Sequence, residues 1–394
     1  MRPPGIQKGG FMKKHIVFVV LAIVLAAFLG ACGTTQVVDE KPVEISAPAN
    51  LKIGHVNQDH HLALYVAALK GEEFKDKGIF LKMIKDKEIY ELYSNDAKVA
   101  DVTLVKTKGG AEMVTNLLAG AFDLGFGGIP AVMGAVDKGK GVKILMPLQS
   151  EGAQLVVDKE IGVKSWDEFV GYASVVEPQM KVGYKAPSAV QAIIFKKALK
   201  EVGITFTEDP KDTTAKILLV DMKGEQNMVP GLANDQIDAF VSSQPAPAQA
   251  QVAGEGFMIA ELSTLPPEGM WTDNPCCMIC ASTDFYPKNS LAVKEFLKLM
   301  VIATDWINEN KAEAVKIAQA FLGTKDGVEE LSLPGIKYSY EPTEAWKNGV
   351  VTWSIVSNEL GQFKGSLKDV ADMKAVDMCV DFSLFDEAKK ELGK

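Results

Sequence analysis

An internal echo constrains this fold more than any other feature of the sequence. Shifted by 115 residues, Leu104-Val105 meets Leu219-Val220, Lys108-Gly109 meets Lys223-Gly224, and Met113-Val114 meets Met228-Val229. Leu117 then meets Leu232, Asp123 meets Asp238, and Pro130-Ala131 meets Pro245-Ala246. Apolar matches alone are cheap; a Lys-Gly, an Asp and a Pro-Ala at one fixed offset are less so. Both segments read as strand, tight turn, helix, strand, and a helix opened by proline, which is favoured in a first turn. The echo predicts two equivalent α/β lobes. Open parallel sheets take ligands at the carboxyl ends of their strands, so two facing lobes would share one cleft.

The rest of the chain keeps this rhythm. Strands are predicted at Leu51–Val56, Val102–Lys106, Leu124–Phe126, Val142–Met146, Lys181–Tyr184 and Ile217–Asp221. Helices are predicted at Leu62–Leu69, Glu112–Ala119, Ala131–Lys138, Ala189–Val202, Leu291–Asn308, Lys311–Phe321 and Glu341–Leu360. Short apolar runs alternating with helical periodicity imply an α/β class with mainly parallel sheets. Lys82–Asp101 is charged, shows little periodicity and reads as an excursion, and the tail to Lys394 reads as mixed.

The N-terminus reads as an export address. Lys13-Lys14 precede an uncharged run, Ile16–Leu29, that is shorter than the roughly 20 residues needed to span a bilayer. It ends in Leu29-Gly30-Ala31-Cys32, which looks like a bacterial lipobox, so Cys32 is expected to carry lipid. The signal is complete from Met12. Residues 1–31 are then signal peptide and 32–50, small and polar, a flexible tether. The formal net charge is −9, and residues 1–31 contain four basic groups and no acid, so the remainder carries −13. An acidic body argues against nucleic acid or anionic lipid as the main partner.

The order of motifs resembles the solute-binding proteins of the nitrate/sulfonate/taurine/bicarbonate class of ABC importers. The carrying residues are Leu51–His55, Tyr65-Val66-Ala67 with Lys70-Gly71, and Lys77-Gly78-Ile79. Leu117-Leu118-Ala119-Gly120 with Asp123 and Leu232 with Gln236–Phe240 follow, then Phe296-Leu297-Lys298 before Asp305-Trp306-Ile307. The resemblance implies a type II periplasmic-binding fold with two hinge crossings, expected near Ser150–Gln154 and Leu262–Asn274. Residues 51–152 and 272–394 would form one lobe and 153–271 the other. It further implies a lipoprotein on the outer face of the cytoplasmic membrane or in the periplasm. That protein, expected to be a monomer, would hand a small solute, anionic in the manner of sulfonate, nitrate or taurine, to a permease–ATPase complex. The membrane would be touched through the lipid alone.

Helix N-termini expose unpaired N–H groups and partial positive charge, so the loops that open helices are the candidate anion sites. The first is Asn57-Gln58-Asp59-His60-His61, from which Asn57, Asp59, His60 and His61 are candidate ligand contacts; Asp59 could instead cap the helix. Lys108-Gly109-Gly110 and Gly127-Gly128 precede two further helices, where missing side chains let a ligand reach backbone amides. Ser188 with Gln191 has the spacing of a capping box, and in the resembling family this helix start faces ligand. Through the echo, Gln226 and Ser243 join the set. Tyr65, Phe126, Tyr184 and Trp271 could stack an aromatic solute or pack the core.

Pro275-Cys276-Cys277-Met278-Ile279-Cys280 is the one run that could signal catalysis. It fits a buried strand, a disulfide, or a redox or metal CxxC. Thiamine-pyrimidine synthases share the resembling fold and carry an iron-linked cysteine run here, with one of their own histidines as substrate. In this chain Met278 interrupts the run, and Phe126–Met133, where that histidine would sit, contains none. No GxSxG, Walker loop, HExxH or GxGxxG after a strand is present. The expectation is therefore a binding protein without catalytic residues, resident metal or cofactor. An extracytoplasmic enzyme on the same fold and a sensory binding lipoprotein are the alternatives.

Overall fold

Chain segments too apolar to face water on either side become central strands, and those with one apolar face become edge strands or covering helices. The computed structural model describes residues 48–394; the signal peptide, Cys32 and nearly all of the tether lie outside the described residues. In chain order the elements are β1 (Ala49–Val56), α1 (Leu62–Lys70), β2 (Ile79–Lys85), β3 (Ile89–Ser94), β4 (Ala97–Thr107), α2 (Gly110–Leu118), β5 (Leu124–Gly128), α3 (Ile129–Asp137) and β6 (Val142–Glu151). Then come β7 (Ala153–Asp158), α4 (Trp166–Val175), β8 (Met180–Tyr184), α5 (Val190–Glu201), β9 (Phe206–Thr207), β10 (Ile217–Asp221), α6 (Met228–Ala233), β11 (Ala239–Ser243), α7 (Ala246–Ala253) and β12 (Gly256–Glu261). The chain closes with β13 (Pro275–Ser282), α8 (Ser290–Glu309), α9 (Lys311–Leu322), α10 (Val328–Ser332), β14 (Ile336–Tyr338), α11 (Glu344–Glu359), α12 (Lys374–Cys379) and α13 (Ser383–Glu391).

Two sheets result, with strand orders β14-β6-β13-β5-β1-β4-β3-β2 and β12-β7-β11-β8-β10-β9. The echo is structural. In the first sheet β1 lies parallel between β5 and β4, and in the second β8 lies parallel between β11 and β10. The echoed aspartates do the same work: Asp123 accepts from the Lys52 backbone N–H and Asp238 from that of Lys181, each at 2.7 Å. An antiparallel strand follows each parallel core, β13 beside β5 and β7 beside β11. The chain leaves the first sheet at Glu151, turns through Gly152 (φ 70°), and enters the second at Ala153; it returns between Glu261 and Pro275.

Two sequence expectations need correction, and the reading of the tail gains detail. Parallel pairing in the larger sheet is confined to β5-β1-β4, with antiparallel strands on both flanks. Lys82–Asp101 is no excursion: it supplies most of an antiparallel meander, β2-β3-β4. Tyr90, Leu92 and Ala100 are buried there, while Glu91 pairs across strands with Lys98 at 2.9 Å. The period of two is hidden because the outer side mixes charge, at Lys82, Glu91 and Asp101, with exposed apolar residues such as Ile84 and Ile89. The mixed tail is structural as well: Trp353, Cys379 and Phe385 are fully buried, and Trp353 Nε1 donates to the Pro275 carbonyl at 2.7 Å. The same segment reaches the second sheet's helices, through Lys197–Glu359 at 3.0 Å and Gln362 Nε2 donating to the Pro187 carbonyl.

Candidate functional site

The carboxyl ends of β1 and β8, the central strands of the two echoed units, point their following loops at one another. Residues 57–61 leave β1 and residues 185–189 leave β8. The first loop is held by its own helix: Tyr65 Oη donates to the Val56 carbonyl at 2.8 Å and accepts from Gln58 N–H at 3.1 Å. Between the loops lies a cavity of about 20 Å³, room for little more than a water molecule. Gly110, Gly128 and Val190 line it, and they open α2, α3 and α5 or cap their starts. None of these three helix starts has a side-chain cap. Their N–H groups, two starts from one sheet and one from the other, converge on one small volume. The glycines make this approach possible: a Cβ on Gly128 would lie 3.2 Å from Val190 Cγ2, and one on Gly127 2.7 Å from Met113 Cε.

A polar partition closes the other side of this cavity. Gln58 bridges the two units. One end of its amide lies 2.9 Å from His61 Nε2, and the other accepts from Ser243 Oγ at 2.9 Å and Lys185 Nζ at 3.2 Å. Lys185 also meets Ser243 Oγ at 3.0 Å and Glu225 at 3.4 Å, and Ser242 and Ser243 lie 3.0 and 2.7 Å from Glu225 Oε1. Beyond the partition is a second cavity of about 210 Å³, lined by Asn57, Thr107, Glu225 and Gln226. Val56 lines both spaces.

His60 faces a third way. Its Nε2 lies 2.9 Å from the Gly152 carbonyl, which can only accept, so Nε2 donates and, in the neutral ring, Nδ1 presents a lone pair. That lone pair faces Cys276 Sγ at 3.6 Å and Cys277 Sγ at 3.8 Å. The Cys277 thiol and His60 hold Cys276 well below the usual thiol range, while the bond to Cys276 and burial push Cys277 up. The three donor atoms lie within 4.8 Å of one another, a set that could hold a thiophilic ion.

Of the residues expected from sequence, Gly110, Gly127, Gly128 and Ser188 line the small cavity, and Asn57 and Gln226 line the larger one. Ser243 and His61 join the partition. Gly109 caps α2 without lining either space. Asp59 is turned away. It neither contacts a cavity nor caps a helix; its carboxyl is fully buried against Ser332 and Glu329, and burial pushes it well above the usual carboxylate range. The capping box at Ser188 does not form, because α5 begins two residues later. Tyr65, Phe126, Tyr184 and Trp271 are core residues, Tyr65 stacking on Phe321 at 4.0 Å.

Gln58, Lys185, Gln191 and Glu225 were missed as site residues. For Lys185 a signal existed: a lysine directly after a buried strand at the carboxyl end of a sheet, in the place that the Asn57-Gln58 loop holds after β1. Glu225 gave none, since an acid in a turn reads as solvated.

Residues 45–322 match the model of the NMT1-like family. The chain belongs to the NMT1-like family. The solved structures it resembles have the periplasmic-binding fold. The nitrate-binding protein NrtA of Synechocystis PCC 6803 superposes with a TM-score of 0.66 at 18% identity, over 88% of this chain and 89% of that one. The ligand-binding component of an ABC-type import system from Staphylococcus aureus, solved with zinc bound, gives 0.65 at 16% identity, over 86% and 99%. The alkanesulfonate-binding protein SsuA of Xanthomonas axonopodis pv. citri, bound to MOPS, gives 0.60 at 14% identity, over 83% and 98%. In sequence, the uncharacterized protein MJ1180 of Methanocaldococcus jannaschii is 36% identical over 150 residues, 38% of this chain and 98% of that protein. No helix among the described residues is long and apolar enough to cross a membrane.

Proposed function

We propose that this NMT1-like protein is the solute-binding component of an ABC importer, with residues 51–152 and 272–394 as one lobe, 153–271 as the other, and the solute held between them. One observation carries the reading: uncapped helix starts from both sheets, α2 and α3 on one side and α5 on the other, converge on the same cavity. Three sets of free N–H groups favour an anionic group. Lys185 adds a cation whose present partners, Gln58, Ser243 and Glu225, are groups a solute can replace. A sulfonate, nitrate or taurine-like solute meets those demands. Opening the partition would join the small cavity to the one of about 210 Å³.

A solute touching both lobes stabilises the closed form by its differential affinity, and a permease can read that population shift without any bond being made. The lipobox at Cys32 supports anchoring outside the cytoplasmic membrane, with the residues before Leu51 as tether. Cys32→Ala should move the protein from the detergent phase to the aqueous phase; an unchanged lipid mass on the variant would refute the anchor.

A thermal-shift screen of sulfonates, oxyanions and pyrimidines tests the binding reading. A solute at 100 times its dissociation constant adds about 2.7 kcal/mol of stability. One chemical class should raise the melting temperature in a saturable way. Catalytic turnover of any member of the screen by the purified protein would contradict the reading.

A further inference from the structure

We propose that Cys276 and Cys277 are a redox-modification site in the cleft wall, a vicinal dithiol that closes to a disulfide by exchange with a small-molecule disulfide; this rests on the two-lobe reading, because the closed cavity of about 20 Å³ admits no such molecule and the thiols are reached when the lobes part. Neighbouring residues on a regular strand point to opposite faces. Here they do not, because β13 is irregular against β6: the register shifts between Pro275 and Cys277 and again between Cys277 and Met278. A bulge re-aims side chains in this way. The two sulfurs lie 3.9 Å apart, close to contact, and both residues line the small cavity. His60 stands over the pair with its unprotonated Nδ1 towards both sulfurs, its ring fixed by the Gly152 carbonyl. A nucleophile, a base and a group orienting the base are thus in one place.

The other described cysteines lack this setting. Cys280 lies against the Gly125 carbonyl and Met113 Sδ and lines neither cavity. Cys379 is fully buried elsewhere, and burial pushes its thiol up to about 12.

The chemistry balances without a metal. Cys276 passes its proton to His60 Nδ1, and its sulfur attacks one sulfur of the disulfide RSSR. The S–S bond breaks, and the leaving RS⁻ takes the proton from His60. Cys277 then gives its proton to His60, and its sulfur attacks Cys276 Sγ in the mixed disulfide. The second RS⁻ departs with that proton. Two protein thiols and RSSR become one protein disulfide and two RSH; the cysteines lose two electrons and the small disulfide gains them. The new bond removes both thiols from His60 and takes Cys277 from Gln58, whose amide lies 3.6 Å from its sulfur at the partition.

The test is incubation of the purified protein with bis(2-hydroxyethyl) disulfide in chelator-containing buffer, followed by acid quench, alkylation of free thiols and peptide mapping. The expected product has Cys276 and Cys277 joined, Cys280 and Cys379 alkylated, and all four alkylated again after dithiothreitol. Cys277→Ser should stop at the mixed disulfide on Cys276, and His60→Gln should slow the first step at least tenfold. Melting curves check that each variant is folded, and the parent protein alone decides the main question. Four alkylated cysteines after prolonged incubation, a stable mixed disulfide in the parent, or a bond that uses Cys280 would each overturn the proposal.

Discussion

The two echoed units share a framework and divide the chemistry. Each has a parallel three-stranded core, and each pins its second strand–helix step with an aspartate on a neighbouring strand's backbone, Asp123 on Lys52 and Asp238 on Lys181. Their loops differ. The first unit offers Gly110, Gly127 and Gly128, bare backbone at the starts of two helices; the second offers Lys185, Glu225 and Ser243, side chains that carry charge and hydroxyl. On the proposed reading, one wall would let a solute approach backbone closely and the other would select it. Duplication of a fold therefore preserves what holds strands together, while the residues at strand ends are free to specialise.

Substitutions on either wall break this comparison at different points. The largest effect is expected from Lys185→Met. The ammonium and Glu225 are both buried, with side chains 9% and 7% exposed. Removing one member of a buried pair leaves an uncompensated charge, at a cost of about 3 kcal/mol. Urea unfolding measures this, and Lys185→Met with Glu225→Gln should recover much of it. An unchanged unfolding midpoint for the single variant would show that the charged wall is solvated.

Gly128→Val attacks the bare wall. Its Cβ would come within 3.2 Å of Val190 on the opposite unit, so the lobes should be propped apart while each still folds. Affinity for the solute found by thermal shift should fall about 100-fold, roughly 2.7 kcal/mol, by calorimetry. Parent-like affinity would mean that the glycine wall does not touch solute.

Asp59 connects the first unit to the C-terminal segment through Ser332 and Glu329, and its carboxyl sits well above the usual range because it is buried. A group whose folded pKa is raised stabilises the fold while protonated. That contribution is complete below the unfolded value of about 4 and is lost as pH rises through the folded value. Stability measured by urea unfolding should therefore decline as pH rises above 4 through the folded value. Asp59→Asn should flatten that decline, and an equally steep profile in the variant would assign it to other groups.

The smallest effects are expected where the two units are alike. Asp123→Asn and Asp238→Asn each weaken one charge-assisted bond to backbone, at about 1.5 kcal/mol apiece. Closely matched losses in urea unfolding sharpen the comparison; a large inequality would show that the shared framework is shared in shape alone.

The architecture was legible because its determinants are local and repeated. Lys-Gly at a turn, Asp after a helix and Pro-Ala at a helix start each have a local physical reason, and they recur at one offset. The glycine wall was legible because glycines directly before a helix start are a local signal, although they do not recur: at the same offset stand Glu225, Ser242 and Ser243. The β2-β3-β4 meander was not, since its outer side mixes charged residues with exposed Met83, Ile84 and Ile89 and so blurs the alternation. Nor was the pairing of His60 with Cys276 and Cys277, more than 200 residues away in sequence. In sequence His60 and His61 read as candidate solute contacts; the cysteine neighbours of His60 exist only once β13 lies beside β5 and β6. Asp59 misled because a loop acid before a helix is commonly a cap; here Ser332, from a distant segment, claims it.

Spin labels attached to a keto amino acid introduced at the exposed Lys138 and Lys211 positions report the distance between the two proposed lobes most directly, and leave the thiols of Cys276, Cys277, Cys280 and Cys379 untouched. With the solute identified by thermal shift, pulsed electron–electron resonance should show the distance distribution shorten and narrow on binding, and fail to do so in Gly128→Val. A distribution that stays unchanged while solute binds tightly would contradict capture between two lobes.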